Sequence, residues 1–321
     1  MNFTQDPIYY TVIKHGIGWM DLILVIIGLF GNVFIIIITY QKKVRIFTKI
    51  FLMLESIWDI LVLLFSGIRY FELSIYQIDV RDANWVICKI HSFMSYLTSD
   101  EAAWILVVMS VERYLILKYA LSTRIKCLNY KHALVVMGIL LLLGIAKNFM
   151  EIFAVFSEEV KGCVIVIENV EVINSYIDAV FNVILPFVIV FTSTALTLLL
   201  IKKQNAKVQS TVKLSTDKSQ SSQILRMVLA ISIYHFISSI PICVMMLLTS
   251  ASNFFSDNNA YFFNLMFDFA LLLSISNNAV KFYLYLCCSI YFREFFINYY
   301  NDFKRCIQRF IEKIKTKLYK K

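Results

Sequence analysis

Seven apolar runs, each long enough to cross a bilayer as a helix, alternate with short polar segments along the chain. A helix needs about 20 apolar residues to cross roughly 30 Å of hydrocarbon, at a rise of about 1.5 Å per residue. The runs cover residues 19–40, 47–71, 87–119, 133–156, 173–201, 224–248 and 261–288. The pattern predicts an all-α membrane protein, with an N-terminal segment (1–18), a seven-helix transmembrane domain (19–288) and a C-terminal segment (289–321).

Composition agrees with this pattern and excludes several other classes of protein. The 321 residues are 59% hydrophobic and 17% charged, and the mean hydropathy is +0.70. Soluble domains are usually about half apolar and about a quarter charged. The apolar fraction also excludes an intrinsically disordered chain, and seven cysteines in this length are too few for a disulfide-rich secreted scaffold.

The net charge of +9 is compatible with nucleic-acid binding or with a membrane protein whose basic residues lie on one side. Position decides between these two interpretations. The segments 41–49, 112–132, 202–226 and 289–321 hold 24 of the 31 Lys and Arg residues but only 5 of the 22 acidic residues. The positive-inside rule therefore predicts that these segments are cytoplasmic and that the N-terminus is extracellular. The glycosylation sequon Asn2-Phe3-Thr4 agrees with this orientation. We expect a multi-pass plasma-membrane protein that does not bind nucleic acid.

The third apolar run has a cysteine near its start and a triplet with two charged residues near its end. Cys88 and Arg113 are 25 residues apart, which corresponds to about 37 Å along a helix. Cys88 therefore lies near the outer face, and the Glu112-Arg113-Tyr114 triplet near the inner face. Cys163 is the only cysteine in the long loop between the fourth and fifth runs. We expect a Cys88–Cys163 disulfide in the oxidising exterior, with two independent buried thiols as the alternative.

Taken in order, a set of short motifs resembles the rhodopsin-like (class A) G-protein-coupled receptors over essentially the whole chain. The matching residues are Gly31-Asn32, Asp59, Cys88 with Cys163, Glu112-Arg113-Tyr114, Pro186, Pro241, the stretch 277–285 ending in Tyr285, and Phe292-Arg293. Two departures, Phe282 for proline in the seventh run and Ser239 for tryptophan in the sixth, are similar to invertebrate FMRFamide-type peptide receptors and related nematode chemoreceptors.

The resemblance implies a receptor that binds an extracellular ligand, expected to be a neuropeptide, and activates a heterotrimeric G protein. It also implies that Glu112, Arg113, Tyr114 and Tyr285 form the switch that couples the receptor to the G protein. A chemosensory receptor for a small molecule and an ion or solute transporter are the alternatives. No catalytic triad, metal-ligand cluster or phosphate-binding loop is present in the sequence, so neither an enzyme nor a cofactor is expected.

A polar core inside the apolar runs is expected from six residues. They are Asn32, Glu55, Asp59, Asn277, Asn278 and Lys281. In the family, the aspartate at Asp59 helps to hold a sodium ion together with an asparagine that is Lys281 here. Charge complementarity suggests that Lys281 pairs with Asp59 and substitutes for the sodium ion. The alternative is that the long lysine side chain extends to the cytoplasmic water.

The family alignment also indicates a ligand pocket. Its expected residues are Arg69, His91, Ser95, Asp100 and Asp268. Ser95 and Ile275 stand where amine receptors have an aspartate and opsins a lysine, so neither an amine nor retinal is favoured. Arg69 can bind a carboxylate or a carbonyl, and the two aspartates can bind a basic group of a peptide. Alternatively, these charges pair with one another. The segment 163–168 has β-prone residues, which favours a hairpin lid over the pocket.

The C-terminal segment combines a short membrane-surface eighth helix, starting near Phe292-Arg293, with a basic amphipathic helix over Phe303–Lys321. Such a helix is expected to lie on the anionic lipid of the inner leaflet. Cys306 is a candidate palmitoylation site within it, with an unmodified cysteine as the alternative.

Overall fold

The computed structural model describes residues 7–41, 46–119, 129–149, 151, 155–157, 162–164, 170–208, 217–250 and 260–318. Across these ranges the chain is built from seven long helices, followed by a further helix that we call helix 8. Their bounds are helix 1, Ile8–Gln41; helix 2, Ile46–Tyr76; helix 3, Trp85–Lys118; helix 4, Tyr130–Asn148; helix 5, 170–208; helix 6, Asp217–Ser250; helix 7, Ala260–Cys288; and helix 8, Ile290–Leu318. The predicted seven-helix architecture is confirmed.

Length and hydropathy qualify six of the described helices, namely helices 1, 2, 4, 5, 6 and 7, to cross a membrane. Helix 3 has 34 residues but carries Asp100 and Glu101 in the middle of its apolar stretch. Both carboxyl side chains are buried inside the bundle. Helix 3 is therefore long enough to span a bilayer, and its charges face protein rather than lipid, as intramembrane charges usually do.

Helix 7 packs against helices 1, 2 and 6, and helix 3 packs against helices 2, 4 and 5. One core cluster joins Ile35, Leu106, Ile231 and Phe282 from four different helices. Helices 1 and 7 approach closely at Gly28, where a Cβ atom would lie only 2.9 Å from the Cα of Ala279. The absent side chain at this position therefore allows the two backbones to pack together.

Helices 2 and 5 each contain a π-helical segment. In helix 2 it covers Leu63–Gly67, and the backbone N–H of Ile68 donates to the carbonyl of Leu63. In helix 5 it covers Ala179–Ile184, with an equivalent bond from Leu185 to Val180. A π segment inserts one residue into the α-helical repeat, so it changes which side chains beyond it face the bundle.

The two largest differences from the boundaries expected from hydropathy are at helix 1 and helix 4. Helix 1 begins at Ile8 rather than residue 19, and Tyr10 in its first turn packs against Tyr261 and Leu265 of helix 7. Helix 4 ends at Asn148 rather than residue 156. Two β-strands follow it, Val155–Ser157 (β1) and Gly162–Val164 (β2), and form an antiparallel hairpin.

At the C-terminus, one continuous helix replaces the short eighth helix and separate tail helix that were expected. Helix 8 runs without interruption over Ile290–Leu318. No proline or glycine occurs in this stretch, so the sequence contains no residue that would break the helix. Its 29 residues correspond to about 43 Å of length.

Candidate functional site

A cavity of about 200 Å³ lies among helices 2, 3, 5, 6 and 7. On helix 3 its wall runs from Ser92 to Ala103, which corresponds to about 16 Å along the helix axis. The upper end of this wall is one turn from Cys88, so the cavity reaches from the end of the bundle that carries the hairpin toward its centre. We call this the hairpin end, and the opposite end the Arg113 end. A long concave cavity between helices is a usual place for a ligand site.

Arg69 and Ser95, two of the five residues expected in the pocket, line this cavity. His91 lies beside it: its Nδ1 atom is 3.3 Å from the Ser95 hydroxyl, and its ring packs against Phe65. Asp268 faces helix 1 instead, within electrostatic range of Lys14. Arg69 and Ser95 are therefore the expected residues that a ligand in this cavity would contact directly.

Asp100 does not line the cavity but sits at the centre of a buried polar network. Its Oδ2 atom accepts hydrogen bonds from Lys147 Nζ at 2.8 Å and Asn148 Nδ2 at 2.6 Å, and its Oδ1 atom accepts one from Asn182 Nδ2 at 2.9 Å. The alternative expectation was that the charged residues of the pocket pair with one another. Asp100 is indeed paired, but its partners are Lys147, Asn148 and Asn182 on helices 4 and 5 and not the other residues expected in the pocket. The network ties three helices together next to the cavity wall.

Lys147 also contacts the carboxylate of Asp178 on helix 5, and Asp178 lines the cavity together with Asn182. Sequence reasoning missed all three residues. Lys147 was missed because it is near the end of its helix, where a lysine usually lies at the membrane interface. Asp178 was missed because it directly precedes a π segment, which changes the helical register and therefore which side chains face the bundle. The signal that could have found them is the presence of an unexplained lysine and aspartate inside apolar runs.

The hairpin of β1 and β2 is fixed to the hairpin end of the bundle through Cys163, which makes a disulfide bond and a backbone hydrogen bond. Cys88 and Cys163 form the expected disulfide, with their Cα atoms 5.5 Å apart. The backbone N–H of Cys163 also donates to the Asp82 carboxylate at 2.9 Å. Because Asp82 belongs to the short 3₁₀ helix Val80–Ala83 between helices 2 and 3, this loop and the hairpin are fixed to each other at the cavity entrance.

Below the cavity, Lys281 lies between two carboxylates of helix 2. Its Nζ atom is 2.8 Å from Asp59 Oδ1 and 3.2 Å from Glu55 Oε1, and all three side chains are at most 2% exposed. The Tyr285 hydroxyl donates to Glu55 Oε2 at 3.1 Å. We call these four residues the lysine cluster. The ammonium group thus points into the bundle and not toward water.

Amide side chains join helix 7 to its neighbours around this cluster. Asn32 on helix 1 donates to the carbonyl of Asn278 at 2.8 Å. Asn277 contacts His235 of helix 6, with 3.1 Å between the Nδ2 and Nδ1 atoms. Asn277, Asn278 and His235 also line the deep part of the cavity. The cavity floor and the polar core therefore share residues.

At the Arg113 end, Glu112 is buried and accepts a hydrogen bond of 2.5 Å from the Thr48 hydroxyl. The Arg113 guanidinium is 3.9 Å from the other Glu112 oxygen, so this ion pair is looser than the bond to Thr48. Tyr114 lies beside the Lys118 ammonium, 5.2 Å from its ring centre. Glu112 therefore connects helices 2 and 3 at the Arg113 end of the bundle.

Two expected sites cannot be placed. Asn2 lies outside the described residues, and the side chain of Cys306 is outside the described part of helix 8. Among the described residues, no group of three or more His, Cys, Asp or Glu side chains is arranged to hold a metal ion.

The helices are those of a multi-pass membrane protein, and comparison with known proteins identifies its family. A model of the 7 transmembrane receptor (rhodopsin family) matches residues 31–285. The chain therefore belongs to the rhodopsin family of seven-transmembrane, G-protein-coupled receptors. It is also similar to Neuropeptide receptor 22 of Caenorhabditis elegans, with 24% identity over 310 residues that cover 89% of this chain and 69% of the relative.

Proposed function

We propose that this receptor binds a neuropeptide at the hairpin end and activates a heterotrimeric G protein at the Arg113 end. The observation that carries the proposal is the cavity, which extends inward from the hairpin for about 16 Å between five helices. A cleft of this depth suits the end of a peptide, with the rest of the peptide contacting the hairpin and loops. The similarity to a neuropeptide receptor supports the same ligand class.

The proposed orientation places the hairpin end outside the cell. The charge distribution supports it, because the basic segments follow helices 1, 3, 5 and 7 at the Arg113 end. The disulfide supports it independently, because disulfides persist in the oxidising extracellular environment. In this orientation the plasma membrane holds the receptor with its N-terminus outside.

Arg113 is the residue we propose to contact the G protein. It lies at the inner end of helix 3, and its ion pair with Glu112 is loose at 3.9 Å while Glu112 is held by Thr48. When the guanidinium group turns toward an incoming protein, the Thr48 bond still holds the Glu112 side chain in its position between helices 2 and 3. Tyr285, which is bonded to Glu55 in this structure, is the second proposed switch residue.

Helix 8 is proposed to lie on the inner leaflet. The final 33 residues carry nine Lys and Arg residues against three acidic residues. A helix with this positive charge and with apolar residues on another face binds anionic lipid through electrostatic attraction and through burial of its apolar side chains. Its proposed role is to hold the inner end of helix 7 at the membrane surface.

The experiment that tests the proposal is a screen of the expressed receptor against a library of neuropeptides, with calcium and cAMP as the two readouts. The Arg113→Ala variant is the control, because it should reach the cell surface and bind the active peptide without signalling. Silence across the library together with a response to small odorants would contradict the peptide assignment. Full signalling by Arg113→Ala would contradict the proposed coupling site.

A further inference from the structure

Two arginines on the cavity wall share a single carboxylate. Arg69 Nη2 is 2.7 Å from Asp79 Oδ2, and Arg81 Nη2 is 2.8 Å from the same oxygen. The Nε atoms of both guanidinium groups bond to the same aspartate, at 3.0 to 3.2 Å. Two positive charges therefore face one negative charge, and the three residues have a net charge of about +1. We call them the arginine pair and its aspartate.

Asp79 is fixed in place by the local backbone as well as by the arginines. It caps the 3₁₀ helix Val80–Ala83, where its side chain accepts the backbone N–H of Arg81 at 3.0 Å. Burial alone would raise the pKa of Asp79, but the hydrogen bonds and charges of Arg69 and Arg81 outweigh burial and hold that pKa well below its usual range. The aspartate is therefore ionised at neutral pH and organises the two guanidinium groups.

Both arginines face the cavity from the side of helix 2, and both are largely shielded from solvent. The side chain of Arg69 is 11% exposed and that of Arg81 is 25% exposed, and both residues line the cavity beside Tyr96. Glu151, which is also within electrostatic range of Arg81, is hydrogen-bonded to Asn174 of helix 5. Asp178, the acidic residue on the helix 5 side of the cavity wall, is in contact with Lys147. The excess positive charge is therefore local to the arginine side of the cavity, where a partly desolvated charge attracts one anionic group.

The chemistry of the arginine pair selects the kind of anion. Guanidinium groups are planar and donate pairs of N–H bonds that match the two oxygens of a carboxylate. One carboxylate carries one negative charge, which equals the excess charge of the arginine pair and its aspartate. A neutral amide can accept hydrogen bonds here but leaves the excess charge uncompensated.

We propose that Arg69 and Arg81 form a subsite that binds a carboxylate of the ligand. The carboxylate is either the C-terminal group of a peptide or the side chain of an aspartate or glutamate within it. This inference rests on the proposed function, because it assigns part of the peptide to one wall of the same cavity. Asp79 acts as a positioning residue that holds the two guanidinium groups side by side.

The test uses the purified full-length receptor in lipid nanodiscs and small capped amino acids as probes. N-acetylphenylalanine has a free terminal carboxylate, N-acetylphenylalanine amide is its neutral match, and N-acetylaspartic acid α-amide carries only a side-chain carboxylate. The apparent affinity of each probe is taken from the concentration dependence of the receptor's melting temperature. This readout needs no G protein, so its failure is distinguishable from failure of the peptide screen.

We expect at least one carboxylate probe to bind about tenfold more tightly than the neutral amide, because hydrogen bonds between charged groups are stronger than those to a neutral group. Arg69→Gln and Arg81→Gln should each weaken carboxylate binding about tenfold and leave amide binding unchanged. Lys89→Gln is the matched control. It removes a positive charge at the same end of the bundle, but Lys89 lies against Trp85 and does not line the cavity.

Three results would overturn the inference. They are equal binding of acid and amide probes, no binding of either carboxylate probe, and unchanged carboxylate selectivity in both arginine variants. The melting temperature without a probe shows whether each variant is folded. Because Asp79 keeps one arginine in either single variant, both variants should remain folded and the test should remain informative.

Discussion

Replacement of Lys281 by methionine should destabilise the receptor by removing the only ammonium group of the lysine cluster. In the structure its Nζ atom neutralises Asp59 at 2.8 Å and Glu55 at 3.2 Å, and the side chains are at most 2% exposed. Methionine has a similar length and no charge. The variant therefore leaves two carboxylates buried close together without a cation.

The size of the effect follows from this geometry. Removing one partner of a buried ion pair typically costs about 3–5 kcal/mol, because the remaining charge is left unpaired. For domains of 150–250 residues, 1 kcal/mol changes the melting temperature by about 2–4 °C. We therefore expect the melting temperature of the purified receptor to fall by on the order of 10 °C for Lys281→Met.

Two further variants separate this explanation from a general sensitivity to mutation. Lys131→Met removes an exposed lysine at the start of helix 4 and should leave the melting temperature unchanged. The triple variant Glu55→Gln, Asp59→Asn, Lys281→Met removes all the charges of the cluster, keeps an oxygen that can accept the Tyr285 hydroxyl, and should recover most of the lost stability, because buried ion clusters can be replaced by neutral residues at little cost. A Lys281→Met receptor as stable as the wild type, or a triple variant no better than Lys281→Met alone, would refute the reasoning.

The same cluster predicts that agonist affinity does not depend on sodium. The Lys281 ammonium occupies the position between Asp59 and Glu55, so a sodium ion gains little by binding there. The measurement compares agonist affinity in sodium chloride and in N-methylglucamine chloride at constant ionic strength. A strong sodium dependence of the wild-type receptor would contradict the proposed substitution of lysine for the ion.

Three more variants test the packing and the covalent bond. Gly28→Ala should lower the melting temperature because the added Cβ would meet the Ala279 backbone at 2.9 Å. Gly138→Ala, which has open space around it, should not lower the melting temperature. Equal melting temperatures for the two variants would count against the close approach of helices 1 and 7. Tyr285→Phe should cost about 1.5–3 kcal/mol because it removes the hydrogen bond to a charged carboxylate, and an unchanged melting temperature would rule this out. Cys88→Ala should reduce surface abundance as much as removal of both disulfide cysteines, because either change breaks the same bond; a larger loss in the double variant would contradict this.

The helices and the disulfide could be predicted from sequence because their signals are local or follow from topology. An apolar run of sufficient length must be a helix in lipid, since no other open structure satisfies its backbone. Cys88 and Cys163 could be paired because only these two cysteines lie on the outer side in the expected topology. The Lys281–Asp59 contact was anticipated from charge complementarity, and the structure adds Glu55 and Tyr285 as its other partners.

The partners of Asp100 could not be predicted because they depend on how helices 3, 4 and 5 are placed around one another. Lys147 is 47 residues away along the chain and Asn182 is 82 residues away. Hydropathy gives the length of a helix but not its rotation about its own axis. The acidic side chain on the cavity wall is consequently Asp178, which belongs to this network, and not Asp100 or Asp268.

The π segment of helix 2 separates the lysine cluster from the cavity wall. It covers Leu63–Gly67, between Asp59 and Arg69. Its five residues turn the chain about as far as four α-helical residues would, because its hydrogen bond spans one residue more. A homologous sequence with one residue fewer at this position can therefore form an uninterrupted α-helix and keep both the Asp59–Lys281 contact and Arg69 on the cavity wall. Conversion of the segment to an α-helix without loss of a residue would instead rotate Arg69 by about 100° and remove it from the wall.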